Sequence, residues 1–144
     1  MQADYVWRGS IPIAAPERAD ARPVVLVVTG DRGLREAAAR VFANDGYVAL
    51  TAAHAGHAVL ACLKAGHIDL LVSELSMDDT SGPALAARLR RFCPELATVF
   101  LAPSGTPESD GVLVKPFSRL DLLAAGAVAR ARMALASGLA TSAS

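Results

Sequence analysis

Lysine, cysteine and long apolar runs are all scarce in this chain of 144 residues, and each scarcity removes a class of protein from consideration. Of 14 basic residues only Lys64 and Lys115 are lysine, and the formal net charge is zero. Without a basic excess there is no electrostatic footprint for non-specific binding to nucleic acid or to a membrane surface. Two cysteines, Cys62 and Cys93, sit in helical patterns without metal-type spacing. That excludes a disulfide framework or a zinc module, and points to small core residues of a reduced, cytoplasmic protein. Long apolar runs are missing too. The run from Val24 to Val28 is far short of the roughly 20 residues a membrane-spanning helix needs. Asp4, Arg8 and Glu17 precede any apolar stretch, so no signal peptide is expected. What is abundant is Ala, Val and Leu. At 53% apolar, the chain can bury the core of one ordinary domain.

The pattern along the chain is strand, helix, strand. Residues 1–22 show no period and read as an arm or linker. Val24-Val25-Leu26-Val27-Val28 has the short, continuous apolar character of a strand buried on both faces. Asp31 can cap a helix whose apolar face is Leu34, Ala38, Val41 and Phe42, ending at Gly46. Tyr47 to Thr51 reads as a second strand. The next helix, Gly56 to Ala65, places Val59, Leu60 and Leu63 on one face and stops at Gly66. Asp69 to Glu74 is a third strand. Ser81 and Pro83 open a helix carrying Leu85, Leu89 and Phe92, closed before Pro94. Ala97 to Ala102 and Val112 to Val114 are the last strands. Ser118 with Asp121 forms a capping box for a helix running to about Ala136. The domain therefore covers 23–136, and 137–144 should fray.

Strands alternating with helices predict a parallel sheet covered on both faces, and five strands of this size suggest a flavodoxin-like order, 2-1-3-4-5. A site then belongs at the carboxyl ends of the strands. These are Thr29-Gly30-Asp31, Glu74, Ala102 and Lys115. Lys115 stands out. A lysine at the end of a buried strand is unfavourable unless its ammonium meets an anion or water, and Pro116 holds it extended.

Five segments in register carry a family resemblance: Val25-Leu26-Val27-Val28, Arg35 in the first helix, Gly46-Tyr47-Val48 with Ala52, Asp69 to Leu75 with Gly82, and Leu113-Val114-Lys115-Pro116-Phe117. Across roughly residues 23–134 the chain resembles the receiver domains of two-component response regulators. The resemblance implies a cis bond at Lys115-Pro116. It also implies a phosphoacceptor aspartate, a magnesium-holding acidic pair, a phosphoryl-binding hydroxyl and a switch aromatic. At those positions the chain has Glu74, Thr29 with Gly30, Ala102 and Val112. Only Lys115 is retained, with Asp31 the nearest remaining acid. Glu74 beside Lys115 is already neutral and offers little to a hard cation. Without magnesium, phosphoryl transfer loses its charge clamp. The expectation is a degenerate receiver that binds proteins rather than accepting phosphate, with no cofactor and no metal. Glu74 would either imitate an acyl phosphate by its longer reach or serve as a structural ion pair.

The chain also departs from the family in length. Residues 103–111, Pro-Ser-Gly-Thr-Pro-Glu-Ser-Asp-Gly, are too few and too rich in Pro and Gly for a crossover helix. The family's fourth helix is therefore replaced by a loop, and part of one sheet face loses its cover. Val99, Phe100, Leu101 and Val112 lie near the opening and form the candidate interface, for a histidine kinase, another regulator or a second copy. Alternatively the arm, through Trp7 and Ile11-Pro12-Ile13, covers it. Two other functions stay open: a flavin or nucleotide binder using Thr29 to Gly33, and the receiver portion of a hybrid histidine kinase with 1–22 as linker. His54 with His57, and the Arg88-Arg90-Arg91 group, read as solvated surface.

Overall fold

The computed structural model describes the backbone of residues 22–143 and the side chains of 22–138. The expected arm, with Trp7 and Ile11-Pro12-Ile13, lies outside the described residues. The elements are β1 (Val24–Val28), α1 (Arg32–Asn44), β2 (Val48–Ala52), α2 (Ala55–Ala65), β3 (Leu70–Glu74), α3 (Gly82–Leu89), β4 (Ala97–Ala102), β5 (Val112–Val114) and α4 (Arg119–Ala143). All strands are parallel, in the order β2-β1-β3-β4-β5. This is the flavodoxin-like sheet that the alternation predicts.

Side chains alternate across a strand, so β1 and β3 feed two cores. Leu26, Val28 and Leu71 pack with Ala58, Cys62, Leu85 and Leu89 on the α2–α3 side. Val25, Val27, Leu70 and Val72 pack with Phe42 and Leu122 on the α1–α4 side. Helix starts follow the capping residues. The Leu34 N–H donates to Asp31 Oδ1 at 3.1 Å and the Ala84 N–H to Ser81 Oγ at 3.1 Å. The box at α4 is reciprocal, Ser118 N–H to Asp121 Oδ2 and Asp121 N–H to Ser118 Oγ. Gly66 ends α2 with φ 76°, a conformation that glycine adopts without a Cβ clash.

Several boundaries differ from the sequence reading. β2 begins at Val48 rather than Tyr47, because the Tyr47 N–H donates back to the Phe42 carbonyl of α1 at 3.0 Å, and the two rings meet in a T-shape with centroids 4.9 Å apart. On α2 the buried residues are Ala55, Ala58 and Cys62, while Leu60 and Leu63 are 57% and 52% exposed. Ala58 to Leu63 is apolar all round, so periodicity does not choose a face, and the smaller side chains fit against the sheet. Phe92 falls beyond the end of α3 and is exposed. α4 continues to Ala143 rather than stopping near Ala136.

β4 passes to β5 through residues 103–111 with no helix between them, as the loop composition requires. Gly105 and Gly111 take φ 94° and 80° there. β5 is short. Its register, Phe100↔Val112 to Ala102↔Val114, leaves Ala97 to Val99 paired to β3 alone.

Candidate functional site

The carboxyl ends of β1, β3 and β5 bring three side chains together. Lys115 Nζ donates to both Glu74 oxygens, at 2.9 Å each. The Thr29 hydroxyl donates to Glu74 Oε2 at 2.7 Å. Thr29 is itself fixed: its carbonyl accepts from Arg35 Nη1 at 2.8 Å, and its hydroxyl oxygen accepts from the Asp31 N–H at 3.1 Å. The Glu74 side chain is 15% exposed and that of Lys115 34%. One anion, one cation and one hydroxyl thus form a neutral, mostly sheltered cluster whose donors are directed at a single carboxylate. Charge-assisted bonds of this kind are stronger than neutral ones. The Lys115-Pro116 bond is cis, as the resemblance implies.

The other expected site residues are arranged differently. Asp31 is exposed, and its carboxylate is engaged at the start of α1 with the Leu34 N–H, not with Lys115. A phosphate placed at this helix start would meet a like charge, which disfavours the nucleotide-loop alternative. Gly30 is exposed, and Ala102 is wholly buried. Of the proposed interface residues, Val99 and Leu101 are only 1% exposed, because alternation turns them to the α1–α4 core. They offer no side-chain surface to a partner. Phe100, partly buried, faces the other side with Val112 partly exposed nearby.

Two features were not recognised from sequence. Thr29 marks a missing acid in the linear pattern, yet its hydroxyl holds Glu74. Gly82 permits close passage: a Cβ there would stand 2.6 Å from the Glu74 carbonyl oxygen and 2.6 Å from Phe100 Cδ1. The signal was a glycine at the first helical position, immediately before Pro83. His54 Nδ1 accepts from the His57 N–H, so it caps α2, and Arg90 Nη2 donates to the Leu96 carbonyl. Among the described residues, no three His, Cys, Asp or Glu side chains converge as a metal site.

The family model for the response regulator receiver domain matches residues 25–126. This chain belongs to that family. Solved structures agree on the fold. A receiver domain protein from Clostridium thermocellum is 20% identical, with a TM-score of 0.67 over 78% of this chain and 98% of that one. The signal receiver domain of an HD domain-containing protein from Pseudomonas fluorescens is 24% identical, with a TM-score of 0.64 over 78% and 97%. NtrX from Brucella abortus, solved with ADP, gives 22% and 0.71, over 83% of this chain but 29% of that protein. No curated protein matches the sequence.

Receiver domains of this family use magnesium, and the donors of this receiver do not fit it. Both Glu74 oxygens already accept from Lys115, Thr29 supplies a hydroxyl where an acid would stand, and Asp31 is engaged at its helix. A divalent cation would have to displace the ammonium and would find one carboxylate.

Proposed function

We propose that this receiver domain of two-component signalling is not phosphorylated and acts through protein–protein contacts. The carrying observation is the closed Thr29–Glu74–Lys115 cluster. The lysine that would otherwise meet a phosphoryl oxygen is bound to a carboxylate that cannot serve as the usual aspartyl acceptor. Glu74 supplies in the resting chain the anion that phosphorylation would supply. Its single charge is less than that of a phosphoryl group, so any imitation is of position more than of strength. The reading assigns no catalytic residue and no cofactor. Its partner is a histidine kinase or another regulator, or a second copy of the chain. The side lacking a crossover helix, bordered by the loop 103–111 with Phe100 and Val112, is the face it offers. No described helix is long and apolar enough to cross a membrane, which is compatible with a cytoplasmic location.

The test is intact mass after incubation with acetyl phosphate and magnesium. An unchanged mass is expected. A stoichiometric gain of one phosphoryl group overturns the reading. A pull-down with wild type and Val112→Lys then tests the face, and capture that is indifferent to the substitution assigns the contact elsewhere.

A further inference from the structure

Cys62 and Cys93 are the chain's two cysteines, and the fold brings their sulfurs to 3.7 Å. Both are buried free thiols. They come from different elements, 31 residues apart. Cys62 lies in the last turns of α2, and Cys93 in the turn that leads from α3 into β4. They share one core with Ala58, Leu89 and Leu96. The face that α2 buries thus sets a thiol, and neither Leu60 nor Leu63, against that turn. Among the described residues no third His, Cys, Asp or Glu joins the pair as a metal site.

A disulfide holds its sulfurs about 2 Å apart, so closure takes a movement of less than about 2 Å. The two sides differ in freedom. Cys62 is held in a helix, its carbonyl accepting from the Gly66 N–H at 2.9 Å. The Cys93 N–H donates back to the Leu89 carbonyl at 2.9 Å, and Pro94 follows, which has no N–H to continue a helix. The turn supplies the movement.

We propose that Cys62 and Cys93 form a reversible thiol–disulfide site, oxidised by a peroxide and reduced by a dithiol. Cys93 is 7% exposed against 1% for Cys62, so Cys93 meets the oxidant. Its thiol gives up a proton, and the sulfur attacks one peroxide oxygen. The O–O bond breaks, leaving a sulfenic acid, and the released hydroxide takes up the proton as water. The Cys62 sulfur then attacks the Cys93 sulfur. The S–O bond breaks, and hydroxide leaves with the Cys62 proton as a second water. The two thiols lose two electrons and two protons, which the peroxide gains. A dithiol reverses the step by exchange and is itself oxidised. The bond ties α2 to the turn and fixes the spacing of Leu63 and Phe92, the exposed apolar neighbours of the two cysteines. Disulfides of reducing compartments are commonly transient and redox-sensing, in keeping with a single labile bridge.

With two cysteines in the full chain, intact mass reads the bond without mapping. The folded protein is treated with hydrogen peroxide, then unfolded and alkylated with iodoacetamide. The monomer should lose two hydrogens and take up no alkyl group, and dithiothreitol should restore both thiols. In dithiothreitol redox buffers the disulfide should be favoured about tenfold or more in the folded chain over the chain in urea, because the fold has already brought the sulfurs together. The oxidised chain should accordingly unfold at higher urea than the reduced one. Cys62→Ala removes the resolving sulfur, so its peroxide-treated chain should carry a sulfenic acid that dimedone traps. An unchanged wild-type mass overturns the proposal, as does added oxygen without loss of hydrogen, or a dimer linked between chains. A lower urea midpoint for the oxidised chain also overturns it, since the bond would then strain the fold. A Cys62→Ala chain that dimedone leaves unlabelled overturns the assignment of Cys93 as the attacking sulfur.

Discussion

Lys115 and Glu74 face each other with the ammonium 2.9 Å from both carboxylate oxygens. Breaking such a sheltered pair from one side leaves an uncompensated charge, whereas removing both partners does not. Lys115→Met should therefore lower stability by about 1–3 kcal/mol. Lys115→Met with Glu74→Gln should lose less than the sum of the single changes. Urea unfolding of the four proteins measures this coupling, expected at about 1 kcal/mol because Lys115 is 34% exposed. Strict additivity would show that the pair contributes nothing.

Millimolar magnesium should leave the melting temperature of the native protein unchanged. Carboxylates restored by Thr29→Asp, Gly30→Asp and Glu74→Asp should create a response. A side chain at Gly30 is accommodated, since a Cβ there meets nothing closer than the Ala53 carbonyl at 3.9 Å. A magnesium-dependent rise of several degrees is expected in the triple variant alone. A comparable rise in the wild type would contradict the account of the pocket.

Gly82→Ala should destabilise the fold by about 1–3 kcal/mol, because the added methyl overlaps both a backbone carbonyl and an aromatic ring. Adding Phe100→Leu relieves the ring contact but not the contact with the Glu74 carbonyl. Chemical denaturation should show partial recovery, and complete recovery would mean that the backbone contact is harmless.

Burial against the sheet, reinforced by Cys93 with its sulfur 3.7 Å away, pushes the Cys62 thiol up to about 11. The ordinary unfolded value is near 9. Between the two, the unfolded chain releases this proton and the folded chain keeps it. The contribution to stability is thus intact below pH 9 and lost as pH rises through about 11, by roughly 3 kcal/mol at most. Cys62→Ala should remove that part of the alkaline slope in a pH series of urea midpoints. An unchanged slope would place its origin in other groups.

Strands and topology were legible because β1, β3 and β4 are short apolar runs that alternate with capped helices over most of the chain. The loop 103–111 was legible because two prolines and two glycines in nine residues exclude a helix. Lys115 and Glu74 could be paired from the ends of their strands. Which face α2 buries could not be read, since Ala58 to Leu63 is apolar in every direction. The task of Thr29 was hidden because a hydroxyl's partner depends on its rotamer and on a strand 45 residues away. Asp31 was legible as a helix cap and as a pocket acid, and only three-dimensional placement decides between these uses. The burial of Val99 and Leu101 depends on strand phase, which a six-residue strand with uniformly apolar centre leaves open.

The helix-free connection between β4 and β5 makes the molecule divisible. Residues 103–111 are almost wholly exposed, and β4 and β5 are paired with each other from Phe100 onward. A cut near Gly105 would sever no strand and no helix. The carboxyl-terminal piece would still be held by the ladder to β4 and by the close seating of Gly126 on Leu70 and Phe42. The two pieces are therefore suited to complement each other when made separately. The chain could serve as a split reporter whose reassembly carries Lys115 back to Glu74.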